Sequence, residues 1–190
     1  MGTTHSRAGR STTVLWRLGA CVIGAPVYLV LEHLLVATSV RRTACGLSIH
    51  FMGVRNADNE LATMEVALGL IRRLDPRRFE HLQRDVKRVF VVPSQRAFMS
   101  PVSGSCFVVE HTVKTKGPVV VASQLVHEAI HARLRKRGIG YPPELRMRTE
   151  ELCCRQEIAF AELIPRRECP DKDIWLDVLH RRLREYPGTV

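Results

Sequence analysis

Val126-His127-Glu128-Ala129-Ile130-His131 is the stretch on which the reading of this chain turns. On a helix, His127 and His131 lie one turn apart, so both imidazoles project from one face. Two neutral ring nitrogens at that separation make half of a tetrahedral zinc site. Glu128 is rotated by about 100° from His127, beside such an ion rather than on it. From there a carboxylate can take a proton from zinc-activated water and pass it to a leaving group. The flanking residues predict the helix itself. Ser123 reads as its N-cap, the cations Arg133, Arg135, Lys136 and Arg137 complement the dipole of its last turns, and Gly138 supplies the stop. Val126, Ile130 and Leu134 form an apolar stripe beside the histidines, so one side is buried while the ligands face a cleft.

A catalytic zinc site uses a third protein ligand and keeps a fourth position for water. The loop Ile139–Pro142 lets a second helix, opened by Pro142-Pro143 and ended by Pro165, fold back on the first. That helix carries Glu150, Glu151 and Glu157. Glu150 and Glu157 share a face with Cys153 and Cys154, and that face is otherwise apolar or small as far as Ala161. A carboxylate there needs a cation or a metal to offset its desolvation. Glu151 lies about 100° away and reads as solvated. The order of preference for the third ligand is Glu150, then Glu151, then Glu157. With Glu150 on the metal, Glu157 becomes the partner of a ligating histidine. A last amphipathic helix, Asp171 to Tyr186, has Ile174, Trp175, Val178, Leu179 and Leu183 as its stripe.

Upstream of the motif, the pattern alternates between strands and helices. Leu47, Ile49 and Phe51 alternate as a short strand, and Asp58 can cap a helix to Leu74 with Leu61, Met64, Leu68 and Ile71 on one face. A short helix follows Pro76. Val86–Val92 reads as a buried strand, Ser105–Val113 as a strand able to offer an edge to an extended peptide, and Val119–Val121 as a short strand feeding the histidine helix. The expected fold is α+β, with a small sheet of about three strands, the histidine helix packed on it, and the ligand-bearing helix antiparallel to that helix.

Residues 1–13 are polar and basic and are expected to be disordered. Residues 14–40 are strongly apolar, interrupted by Arg17, Pro26 and Glu32-His33. They read as a signal anchor, an uncleaved signal-like segment, or a buried or interfacial helix, and so as a candidate membrane anchor. Localisation stays open between membrane-anchored and cytoplasmic. The net charge of +10 suits a solvated basic surface; with aromatics at 6%, no base-stacking platform and no specific nucleic-acid partner are expected. The six cysteines contain no C-x-x-C pair. Buried thiols are the default, with Cys45–Cys106 or Cys106–Cys169 bridges left open. His50, His81 and His111 lack ligand spacing and read as surface groups.

His127-Glu128-Ala129-Ile130-His131 followed by a glutamate on the next helix resembles the gluzincin branch of the zincin metallopeptidases. The longer string VHEAIHARL…RGIGY…RTEELCCRQEIAFAELIP resembles a group of uncharacterised bacterial proteins regarded as metallopeptidases, over roughly residues 86–165. The metzincin branch is excluded, since Leu134 stands where glycine is needed and Arg137 where the third histidine is needed. The resemblance implies a zincin-like catalytic domain over residues 41–190, Zn²⁺ held by His127, His131 and Glu150, Glu128 as general base, and a polypeptide substrate. Tyr141, His180 and Tyr186 are the candidates for an oxyanion donor. The expected function is a zinc-dependent hydrolase, in particular a peptidase. The competing readings are an inactive zincin-fold binding or regulatory module and a small membrane component built around residues 14–40.

Overall fold

The computed structural model describes residues 25–53 and 57–186. The chain divides into two compact units, Met1–Thr38 and Ser39–Val190. In the first, the described part is helix α1 (Ala25–Thr38). The basic residues 1–13, and residues 14–24 of the apolar stretch, lie outside the described residues. Among the described residues no helix is long and apolar enough to cross a membrane.

The second unit runs β1 (Val40–Ala44), β2 (Leu47–Phe51), α2 (Asp58–Leu74), α3 (Pro76–Asp85), β3 (Arg88–Val92), β4 (Phe98–Met99), β5 (Ser105–Val109), α4 (Glu110–Thr115), α5 (Gly117–Lys136), α6 (Pro143–Leu163) and α7 (Lys172–Arg184). Its five-stranded sheet has the order β1-β2-β3-β5-β4. The inner pairs β2–β3 and β3–β5 are parallel, and the outer pairs β1–β2 and β4–β5 are antiparallel. The fold is therefore mixed α+β.

Local chemistry explains most of these elements. Cys45 and Gly46, with φ of 49° and 81°, make the two-residue turn that closes β1 onto β2. Parallel pairing of β2 with β3 requires a crossover, which α2 and α3 provide. Asp75 accepts the Arg78 backbone N–H at 2.9 Å and Pro76 opens α3, so this helix starts with a side-chain cap. One sheet face carries Ile49, Phe51, Val89, Val91, Cys106 and Val108 into the core, where Met64, Leu68 and Ile71 of α2, Val121 and Leu125 of α5 and Phe160 of α6 meet them. The opposite face holds a row of rings in direct register, His50–Phe90–Phe107–Phe98, with centroids 5.0, 5.0 and 4.5 Å apart.

Several expectations are corrected. The sheet has five strands rather than about three, because Val40–Ala44 and Phe98–Met99 add an outer strand at each side. Val119–Val121 is helical. α5 begins at Gly117, and burial of Val121 outweighs the β preference of branched residues. Ser123 therefore lies inside α5 and is not its cap. Residues 105–113 are strand only to Val109, and β5 is not an edge, since Phe98 and Met99 pair with Phe107 and Cys106 on its outer side. Asp58 is the first residue of α2, whose cap position is Ala57. His50 is buried, hydrogen-bonded to Ser39 and Ser48 at 2.8 and 3.0 Å. Ile174 and Val178 of the expected α7 stripe are exposed. Cys45, Cys106, Cys153, Cys154 and Cys169 are free thiols, so neither bridge is formed.

Phe160 is fully buried where α6 meets the main core. Phe160→Ala should lower the unfolding free energy by about 3–5 kcal/mol in urea denaturation. A loss below about 1 kcal/mol would show that α6 is not anchored there.

Candidate metal centre

Helices α5 and α6 run antiparallel, as their side-chain pairs show. Ser123 meets Glu157 at one end and His131 meets Glu150 at the other. His127 and His131 project together, with ring centroids 5.1 Å apart. Glu150 lies between them, one oxygen 3.5 Å from His127 Nε2 and the other 3.8 Å from His131 Nε2. Both separations exceed an ordinary hydrogen bond. Each histidine faces a different oxygen of that carboxylate.

The other nitrogen of His127 is tied down. Nδ1 lies 3.0 Å from Glu157 Oε2, which leaves Nε2 for the face shared with Glu150 and His131. Glu157 is 5% exposed and also accepts the Ser123 hydroxyl at 2.7 Å and the Arg182 guanidinium. Burial works to raise its carboxyl, but His127, Arg182 and Ser123 outweigh it and hold the group below the usual carboxylate range. Tyr141 donates its phenolic hydrogen to Glu150 and stands edge-on to His131 at 5.5 Å. Burial opposes ionisation of Glu150, yet His127 and Tyr141 bring it down to about 2. Burial also disfavours imidazolium at His127, but Cys154, Glu150 and Glu157 hold it well above its ordinary value. His131 falls to about 4, through burial and then the charge of His127.

Glu128 completes the group. The residue is 5% exposed, and its Oε2 is buried without a hydrogen-bond partner among the described residues. Burial first, and then Glu150 and Glu157 against the opposing His127, raise it to about 7. Among the described residues two groups of ligand-type atoms lie within 4.8 Å of one another, His127–His131–Cys153 and His127–Cys154–Glu157, and Glu150 stands beside the first without belonging to either. The side chains present can therefore hold a metal ion. Glu128, with an unpartnered oxygen, stands beside that set.

The structure thus brings together His127, His131, Glu150 and Glu128, with Glu157 behind His127. Glu151 does not join them; it is paired with Arg155 at 2.7 Å. His180 is exposed. Tyr186 is half-buried, and burial followed by the charge of Glu150 raises its phenol. Sequence reasoning missed Arg182, which also donates to Cys154 Sγ at 3.2 Å. The available signal was its place on the inward side of α7, three residues after buried Leu179. Comparison with known protein families, with curated proteins and with solved structures finds no match to this chain.

With metal removed by a chelator, the raised Glu128 pKa makes a signed prediction. Its contribution to stability is fully present below about 4.5, the ordinary value, and is lost as pH rises through about 7. Glu128→Gln cannot ionise and escapes that loss. The stability of the variant relative to wild type should therefore climb by roughly 3 kcal/mol between pH 4.5 and 8, as read by urea unfolding. A pH-independent difference would mean that the carboxyl is not desolvated.

Proposed function

We propose that this chain is a zinc-dependent hydrolase acting on polypeptide, with His127, His131 and Glu150 as ligands and Glu128 as general base. The observation that carries the reading is the placement of Glu150 between the two Nε2 atoms, beside a buried Glu128 oxygen without a partner. When bound, zinc supplies a Lewis acid that brings the pKa of water toward neutrality and polarises a carbonyl. The remaining work falls to the side chains. Glu157 holds the His127 ring in one orientation and one tautomer. Tyr141 holds Glu150, so its hydroxyl is engaged by the ligand rather than turned to substrate. Glu128 takes the proton of the attacking water and delivers it to the departing amine. An extended substrate cannot add to β5, whose two sides are paired. The outer side of β4 is the sheet edge beside α5.

His127→Ala and His131→Ala should each abolish stoichiometric zinc in elemental analysis. Glu128→Gln should keep wild-type zinc while hydrolysis of an unfolded protein falls about 10²–10⁴-fold. Equal hydrolysis by both proteins would exclude Glu128 as the base, and zinc without hydrolysis in either would favour a binding module.

A further inference from the structure

Helix α6 turns a second donor toward the histidines. Cys153 follows Glu150 by three residues, so the two side chains are neighbours on one helical face, as His127 and His131 are on α5. The Cys153 Sγ and one nitrogen from each histidine all lie within 4.8 Å of one another. Cys153 is fully buried and is not in a disulfide. The companion cluster, His127–Cys154–Glu157, already has its cation. Arg182 donates to both Cys154 and Glu157, and its guanidinium fills the place a metal would need. The two adjacent cysteines therefore differ: Cys154 lies between His127 and an arginine, and Cys153 faces a nitrogen of both histidines.

We infer that Cys153 is a fourth protein ligand of the metal centre, closing His127, His131 and Glu150 into a cage of two nitrogens, one oxygen and one sulfur. This rests on the zinc reading above. On binding, the sulfur lone pair forms the bond to the ion and the S–H proton leaves to solvent; no electron is transferred. Zinc sites with four protein ligands are closed, whereas hydrolytic sites keep three and an open position. In such a cage water or a substrate carbonyl would enter by displacing the thiolate or as a fifth ligand. A thiolate also biases the cage toward zinc over magnesium or calcium.

The test uses the full chain loaded with Zn²⁺ and, separately, with Co²⁺. X-ray absorption at the zinc edge of wild type should show one sulfur at about 2.3 Å among nitrogen and oxygen neighbours. Cobalt-loaded wild type and Cys154→Ser should both show a near-ultraviolet thiolate-to-metal band, and Cys153→Ser should lack it. Zinc affinity of Cys153→Ser, measured against a chromophoric chelator, should fall at least about tenfold, since even removal of a ligand's own hydrogen-bond partner costs that much. Stoichiometric zinc with only nitrogen and oxygen neighbours overturns the inference and leaves the three-ligand hydrolase standing. Failure of wild type to bind zinc overturns both. The absorption measurement needs no variant, so it decides the matter even if Cys153→Ser does not fold.

Discussion

A carboxylate that cannot be buried alone organises the helical layer. Glu157 is removed from water, at a cost of several kcal/mol unless its oxygens are met by donors. The donors arrive from two other helices at once: Ser123 and His127 on α5, and Arg182 on α7. Rotation of α5 about its axis would withdraw two of them, and sliding of α7 would withdraw the third. Three helices are thereby held in one arrangement by a single charged group, which lies one layer behind the side chains proposed to do chemistry.

The same constraint sets the electrostatics in front of it. With one His127 nitrogen committed to Glu157, the other is presented to Glu150. Without metal, two cations, imidazolium at His127 and guanidinium at Arg182, face three carboxyl groups. The mismatch is resolved at Glu128, whose Oε2 has no hydrogen-bond partner among the described residues and whose carboxyl stays protonated to about 7. In the zinc reading, a divalent ion adds the missing positive charge and lets Glu128 ionise where a base is needed.

Much of this was legible in residue spacing, because the relevant constraints are local. A four-residue step between histidines puts both rings on one helical face in any fold, and Gly138, Pro142-Pro143 and Pro165 punctuate the backbone by themselves. The desolvation argument held for Glu157, which is buried, but not between Glu150 and Glu151, whose side chains are 21% and 16% exposed. The strand edge was not legible, since β4 is two residues long and carries no periodicity. Ser123 was misread because its short-range chemistry favours a cap, while tertiary burial extended the helix six residues upstream. Arg182 depends on a partner 25 residues away, and a long flexible side chain gives no pattern of its own.

The ring row across the sheet has a further consequence. His50, Phe90, Phe107 and Phe98 are opposite neighbours on four strands, so a slip by one residue would send each ring to the other face. Such a slip would also translate β5 by about 3.3 Å. β5 passes straight into α4, and α4 is separated from α5 by Lys116 alone, which leaves no slack to absorb the shift. The aromatic row thus acts as a ruler for the histidine helix, setting how far along the sheet His127 and His131 come to rest.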